Sequence, residues 1–261
     1  MTNCAASRRA TGETIRVMTW NIHHAEGIDR TIDIDRIAKL ILSEKVDIVA
    51  LQEVDRGIER SKKVDQITRL ADLTGMTYAF GKTSEIQKGD FGNAFLTRFP
   101  ILEERNILFT KIHGDEQQGL HLLILEIRGD EMVIANTQLD SRNDDTARVA
   151  NAGELLMALK PYGNRATIVC GDLNDSSASR TLTLLKQDFS DAWEQSGKGS
   201  GYTYSTASPR QRNDYIFVLK NPKPDSASTP VHLRTVAARV LSSSASDHVP
   251  LVVDFELTSE R

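Results

Sequence analysis

Short apolar runs alternate along this chain with segments in which apolar residues recur at helical spacing. Ile15–Trp20 and Asp47–Gln52 are mostly apolar runs and predict buried strands. Between them, Asp33–Leu42 carries apolar residues three and four positions apart, which predicts an amphipathic helix. Val64–Leu73 shows the same spacing and is followed by Gly75, a residue that commonly ends helices. The first part of the chain therefore predicts alternating strands and helices.

The middle of the chain predicts strands in quick succession. Asn93–Arg98, Leu120–Ile127 and Met132–Leu139 predict strands that come in quick succession, which favours antiparallel neighbours. Thr146–Leu159 then predicts a helix that stops before Pro161. The remaining predicted elements are the strands Ala166–Cys170, Asp214–Leu219 and Val249–Leu257, and a proline- and serine-rich loop at Asn221–Pro230.

Many strands mixed with a few long helices predict an α/β (α+β) fold in which β-sheets pack on each other with helices outside. We interpret residues 1–14 as a polar N-terminal tail and residues 15–261 as a single domain. A chain of this length can bury roughly three quarters of its unfolded surface, so its core does not require disulfides or structural metals. The two cysteines, Cys4 and Cys170, exclude a disulfide framework.

Composition predicts an ordinary globular protein, with 39% hydrophobic and 26% charged residues. No apolar stretch approaches the roughly 20 residues that span a bilayer, and the first residues contain no apolar signal region. We therefore expect a soluble, cytoplasmic monomer from the chain as given. An exported precursor stays open, because the sequence could be a trimmed form.

The net charge of −4 bears on which kinds of partner the protein can bind. Proteins that bind duplex nucleic acid non-specifically usually carry a strong basic excess, because neutralising phosphates supplies most of that affinity. This chain lacks such an excess, and aromatic residues make up only 6% of it. The net charge and the low aromatic content favour a substrate that is a small phosphoester, or a phosphoester contacted only locally, over general nucleic-acid binding.

Polar residues cluster where the predicted strands begin or end. Singly, each is more simply explained as a turn former. As an ordered set they could converge on one sheet edge, where carboxylate and amide oxygens would suit Mg²⁺. The residues in question are Asn21, Glu53, Gln138, Asp172, Asn174, Asp214, Asp247 and His248.

At these positions the chain resembles the endonuclease/exonuclease/phosphatase superfamily, which includes pancreatic-type deoxyribonucleases, abasic-site endonucleases, neutral sphingomyelinases and inositol polyphosphate phosphatases. The resemblance extends from about residue 15 to residue 257 and implies a four-layer sandwich of two packed mixed β-sheets flanked by helices. It also implies hydrolysis of phosphoester bonds with Mg²⁺ (or Mn²⁺). The segments that carry it are Met18–Ile22, Leu51–Asp55, Gly92–Pro100, Gly171–Asn174, Asn213–Phe217 and Ser246–Pro250.

The resemblance also implies roles for individual residues. Glu53 would be the central metal ligand, with Asn21 and Asp247 beside it. Asp172 would polarise the attacking water and Asn174 would orient that water. His248 would contact the scissile phosphate while Asp214 fixes its imidazole, since a carboxylate on one ring nitrogen selects the tautomer presented by the other.

Gln138 departs from the family pattern, which commonly has His there. Its amide can donate a hydrogen bond but cannot transfer a proton. One interpretation is an adequate hydrolase that uses a different polar group. The alternative is a catalytically weakened module that binds a phosphate, a lipid head group or nucleic acid. We favour the hydrolase because the other site positions are intact.

Several further residues are candidates for binding the substrate. Arg56 and Arg60 follow the Glu53 strand and could contact phosphate, or could lie in a solvated loop. Asn93 and His24 are expected to line the pocket. We assign neither His24 nor its neighbour His23 as a metal ligand, because no Cys/His spacing elsewhere completes a zinc site. The substrate stays open between a lipid or inositol-phosphate head group, a small phosphodiester and nucleic acid.

Overall fold

In the computed structural model, which describes residues 13–112, 116–223 and 231–259, two mixed six-stranded sheets pack face to face. The strands are β1 Thr14–Asn21, β2 Ile48–Arg56, β3 Thr77–Ile86, β4 Gly89–Thr97, β5 Ile101–Leu108, β6 Gly119–Ile127, β7 Asp130–Gln138, β8 Thr167–Asp172, β9 Phe189–Asp191, β10 Asp214–Leu219, β11 Val231–Val240 and β12 Leu251–Ser259. The helices are α1 Ile34–Glu44, α2 Gln66–Thr74, α3 Thr146–Leu159, α4 Arg180–Leu185 and α5 Ala192–Ser196, with 3₁₀ turns at His23–Ala25 and Lys160–Tyr162.

The two sheets share one connectivity. The first has the order β11-β12-β1-β2-β4-β3 and the second the order β5-β6-β7-β8-β10-β9. In each sheet the central pair, β1–β2 or β7–β8, is parallel and is joined through a helix, and the neighbours on both sides are antiparallel. The carboxyl ends of both parallel pairs therefore deliver side chains to a sheet edge.

Three apolar clusters hold the layers together. The central one lies between the sheets and includes Val17, Phe95 and Ile168. A second packs α1 and α2 on the first sheet, and a third packs α3 and α4 on the second sheet. This order of helix, sheet, sheet and helix confirms the predicted four-layer sandwich.

The starts of α1 and α2 differ from the sequence prediction by one and two residues, because acidic caps precede these helices. Asp33 is the N-cap of α1 and accepts a hydrogen bond from the Arg36 backbone at 3.2 Å. Asp65 caps α2 in the same way, so this helix begins at Gln66. The first strand begins at Thr14, inside the predicted tail, and residues 1–12 lie outside the described residues.

The sequence prediction lacked four strands, β3, β5, β9 and β11, and the short helices α4 and α5. Strands β3, β5, β9 and β11 are the outermost strands of the two sheets, and edge strands carry more polar residues than buried central ones. The predicted loop at Asn221–Pro230 is described only at residues 221–223, where no regular structure is present; residues 224–230 lie outside the described residues.

A buried amide network joins the two sheets at a bulge in β2. The bulge lies between Leu51 and Val54, where the pairing with β4 changes register. From β7, Asn136 Nδ2 donates to the carbonyl oxygens of Leu51 at 2.9 Å and Ala94 at 3.0 Å, while its Oδ1 accepts from Gln52 Nε2 at 2.6 Å. Asn136 and Gln52 are fully buried. The network thus satisfies backbone groups of the first sheet with a side chain of the second.

We predict that Asn136→Ala destabilises the protein by about 3 kcal/mol or more. It would remove the Asn136 donor from two buried carbonyls and one acceptor from the Gln52 amide, and each buried group left unsatisfied costs about 1–3 kcal/mol. The free energy of urea unfolding measures the loss. Asn143→Ala is the matched control, because Asn143 is exposed in the loop after the same strand. Equal stability of the two variants would contradict a structural role for the network.

Candidate active site

The predicted site residues meet where both parallel pairs of strands end. Asn21 is the last residue of β1, Gln138 the last of β7 and Asp172 the last of β8. Glu53 lies in β2 within the bulge, and its backbone adopts a left-handed conformation with φ of 58°. The two sheets therefore each contribute a carboxylate to one cleft edge.

Glu53 is held by amide groups from both sheets. Its Oε1 accepts from Asn21 Nδ2 at 2.8 Å and from Gln138 Nε2 at 2.8 Å. Among the described residues, nothing donates a hydrogen bond to Oε2, and the side chain is only partly buried. One carboxylate oxygen is thus fixed by the protein and the other can face a ligand.

Asn21 joins Glu53 to Asp172. Its Nδ2 also donates to Asp172 Oδ2 at 3.0 Å, and its Oδ1 accepts from the backbone N–H of His23 at 3.0 Å. The His23 N–H fixes the orientation of this amide, because reversing it would place two donors together. In this arrangement Asn21 positions the two carboxylates, and its role as a direct metal ligand stays a prediction.

Asp172 is positioned by its own turn. Its Oδ1 accepts from the backbone N–H of Asn174 at 3.0 Å. Asn174 Nδ2 donates to the Leu139 carbonyl at 2.9 Å, so this amide ties the turn to the end of β7. The preceding Gly171 has to be glycine, since a Cβ there would lie 2.1 Å from the carbonyl oxygen of Thr137. Close approach of β7 and β8 thus fixes the Asp172 carboxylate.

His248 lies between two carboxylates. Its Nδ1 is 2.8 Å from Asp214 Oδ2 and its Nε2 is 3.7 Å from Asp172 Oδ2. The Tyr204 ring packs on the imidazole with centroids 4.7 Å apart, and Trp20 Nε1 donates to the His248 carbonyl at 3.0 Å. Ring position and orientation are therefore both fixed.

These contacts set the charges of His248 and Asp172. Burial disfavours a charged His248, but the Asp214 and Asp172 carboxylates more than offset it and raise the pKa of His248 to about 10. Burial, with the charges of Asp214 and Glu53 and against the favourable His248, raises the pKa of Asp172 to about 7. The two carboxylates thus favour the imidazolium form of His248, and burial favours the protonated form of Asp172.

The sequence model of the endonuclease/exonuclease/phosphatase family matches residues 18–248, which include all of these side chains. The chain belongs to this family. Members of the family hydrolyse phosphoester bonds as nucleases or phosphatases.

Relatives in sequence and in structure match nearly the whole chain. The Escherichia coli K12 protein YbhP, named as uncharacterized, is 26% identical in an alignment of 258 positions that covers 94% of this chain and 97% of YbhP. A family structure from Beutenbergia cavernae is 24% identical with a TM-score of 0.77 and covers 94% of this chain and 72% of that one. The catalytic domain of human Nocturnin with bound sulfate is 25% identical with a TM-score of 0.74 and covers 94% of both chains.

The donor set of this family member suits a hard divalent cation. Glu53 and Asp172 lie close enough to share the Asn21 amide, and one oxygen of Glu53 is available to a ligand. Oxygen donors of this kind are what Mg²⁺ and Mn²⁺ prefer. Asp247 lies at the rim, where its side chain is 37% exposed and is 3.9 Å from His23 Nδ1. Its role as a metal ligand stays a prediction.

The predicted substrate-binding arginines are both engaged in ion pairs. Arg56 pairs with Asp65 at 3.1 Å and covers the Phe80 ring. Arg60 makes two hydrogen bonds to the buried carboxylate of Asp55, at 2.8 and 2.9 Å. These partners position both guanidinium groups and leave part of each exposed, so contact with a substrate phosphate stays a prediction.

The remaining pocket candidates are buried. Asn93 lies in β4 with 2% of its surface exposed, and His24 is 7% exposed. Burial, helped by Arg60 and His23, lowers the pKa of His24, which keeps this ring neutral.

Sequence reasoning did not single out Asp55 or Tyr204. Asp55 is a fully buried carboxylate near the end of β2, and a charge buried in this way needs a partner. Tyr204 gave no comparable signal, because a loop brings it to His248. Among the described residues no helix is long and apolar enough to cross a membrane.

We predict that Asp214→Asn lowers the pKa of His248. The wild-type ring should stay protonated well above its ordinary value near 6.5, and losing one carboxylate removes a main cause of that rise. Histidine NMR titration of metal-free protein measures both values, with His248→Gln to assign the resonance. Asp188→Asn, an exposed change of the same kind, should leave the titration unaltered. An unchanged His248 titration in Asp214→Asn would contradict the assignment.

Proposed function

We propose that this family member is a Mg²⁺-dependent (or Mn²⁺-dependent) phosphodiesterase or phosphatase in which Asp172 activates the attacking water. The observation that carries the proposal is the single cluster in which Glu53, Asn21, Asp172, His248 and Asp214 contact one another at the sheet edge. A divalent cation bound there, with Glu53 as its main ligand, would neutralise charge on the phosphoryl oxygens.

Asp172 is the group best placed to take a proton from water. Burial raises the pKa of its carboxyl above that of an ordinary aspartate, which makes the carboxylate a stronger base. The Asn174 backbone N–H and the Asn21 amide hold its two oxygens in place. Asn174 acts through this turn, and a direct contact between its side chain and the water stays a prediction.

His248 is suited to stabilise the phosphoryl group. With Nδ1 on Asp214, its Nε2–H can donate to a phosphate oxygen, and a fixed cationic donor in a partly dry site is worth more than the same group in water. The Asp214 contact also prevents the ring from turning over. His248 would thus bind negative charge that develops during attack.

Gln138 supports the hydrolase over a weakened binding module. Its amide donates to Glu53, so the side chain is used to position the main carboxylate. The acidic groups Glu53, Asp172, Asp214 and Asp247 are also all present. The substrate is a phosphoester. A lipid or inositol-phosphate head group and a small phosphodiester suit the net charge better than nucleic acid does. The sulfate bound to the Nocturnin domain shows that a family member accepts a tetrahedral anion.

A panel of substrates tests the proposal. Hydrolysis is measured with Mg²⁺ and with Mn²⁺ on a chromogenic phosphodiester, a phosphomonoester, inositol phosphates, sphingomyelin, plasmid DNA and abasic DNA. Metal-dependent turnover that EDTA abolishes is the expected result. Binding of phosphate ligands without turnover on any substrate would support the alternative, the weakened binding module.

We predict that Glu53→Gln lowers turnover roughly 10²-fold or more. A bound cation contributes several kcal/mol of charge stabilisation, and about 1.4 kcal/mol is a factor of ten. Calorimetry should show weaker Mg²⁺ binding, while the free energy of unfolding changes little because the amide can replace the hydrogen-bonded oxygen. Glu59→Gln, in the exposed loop after the same strand, is the control. Turnover at the wild-type rate in Glu53→Gln would show that the metal assignment is wrong.

We predict that Gln138→His changes turnover by only a few-fold. The Gln amide already donates to Glu53, and an imidazole N–H can replace that contact. A pH–rate profile of both proteins is the measurement. If His instead restores a missing general acid, turnover would rise by roughly 10²–10⁴ with a new pH limb near pH 6–7. That outcome would identify the natural chain as an impaired hydrolase.

A further inference from the structure

Two adjacent histidines, His23 and His24, lie beside Glu53 on the 3₁₀ turn that follows β1. One ring nitrogen of each and one carboxylate oxygen of Glu53 all lie within 4.8 Å of one another. No step of the proposed hydrolysis uses either imidazole. The donor set of two nitrogens and one oxygen differs in chemistry from the oxygen-rich set on the Asp172 side of Glu53.

His24 is a buried imidazole with a nitrogen that has no partner. The residue is 7% exposed, and its Nδ1 is buried without a hydrogen bond to any described residue. Its Nε2 lies 3.4 Å from Glu26 Oε2. A buried polar atom without a partner costs free energy and calls for an explanation. Histidines that bind metals commonly place one ring nitrogen on a carboxylate and the other on the ion.

His23 places a second imidazole next to the first. The two rings are edge-on with centroids 4.3 Å apart, and His23 is partly exposed. The turn is fixed on both sides, since the His24 carbonyl accepts from Gln66 Nε2 at 2.7 Å and the His23 N–H donates to Asn21. Asp247 lies 3.9 Å from His23 Nδ1 and could supply a further oxygen. The imidazoles are therefore held near Glu53 by the surrounding structure.

We propose that His23, His24 and Glu53 bind a divalent transition-metal ion of borderline softness, with Zn²⁺ as the type case. Imidazole nitrogens favour Co²⁺, Ni²⁺ and Zn²⁺ over Mg²⁺, and two histidines with one glutamate form an established zinc ligand set. With metal–ligand bonds of about 2.0–2.1 Å, tetrahedral donors are about 3.3 Å apart, so these side chains need to close by only about 1–2 Å. Glu53 would also be the main ligand of the proposed Mg²⁺ site. Metal binding by the two histidines and Glu53 can nevertheless be measured without any hydrolysis.

Cobalt absorption tests the site directly, because Co²⁺ bound by nitrogen ligands at low coordination number absorbs visibly far more strongly than octahedral Co²⁺ in oxygen ligands. The wild-type protein should show strong d–d bands that equimolar Zn²⁺ abolishes and excess Mg²⁺ does not. His23→Gln and His24→Gln should each lower Co²⁺ affinity at least about tenfold.

Two matched variants separate this site from other histidines. His248→Gln removes the imidazole of the neighbouring Asp172–Asp214 cluster, and His232→Gln removes one on β11; the bands should survive both changes. Weak octahedral bands in the wild-type protein would overturn the proposal without any variant. So would unchanged affinity in folded His23→Gln and His24→Gln, with folding checked by urea unfolding. Mg²⁺-dependent hydrolysis by the wild-type protein is measured separately, so failure of this site leaves the proposed function standing.

Discussion

The buried amides of Asn136 and Gln52 are the constraint on which the site depends. At a bulge in β2, Asn136 from the second sheet donates hydrogen bonds to two backbone carbonyls of the first sheet, those of Leu51 and Ala94. Because buried polar groups must find partners, this contact fixes both the bulge and the separation of the sheets. The left-handed backbone of Glu53 follows from the bulge, and the direction of the Glu53 carboxylate follows from that backbone.

The charges of the site depend on this frame. Asn21 and Gln138 approach Glu53 from different sheets, and both can donate to one carboxylate oxygen only while the sheets keep their register. Asp172 and Asp214 then lie on opposite sides of the His248 ring, where burial prevents water from screening them. The imidazolium and the weakly acidic Asp172 are thus products of packing as much as of residue type.

Much of the fold and of the site could be predicted from the sequence. Central strands such as β1 and β8 are mostly apolar, and Glu53 and Asp172 each follow a mostly apolar run, so their convergence could be predicted. The edge strands β3 and β11 carry mixed polar and apolar residues and gave no clear pattern. The orientation of the Asn21 amide was also beyond the sequence, because it depends on the backbone N–H of His23. The nearness of His24 to Glu53 depends in the same way on the conformation of a short turn.

The shared connectivity of the two sheets has a consequence for cooperativity. Each sheet contains one parallel pair, and the carboxylates of Glu53 and Asp172 come from different pairs, so neither half of the molecule contains a complete site. A ligand that contacts both carboxylates binds only when the halves are docked. Its binding free energy therefore adds to the free energy that holds the halves together, by mass action. Separation of the sheets would release the ligand even if each sheet stayed intact. A bound ligand therefore indicates that the two halves are docked.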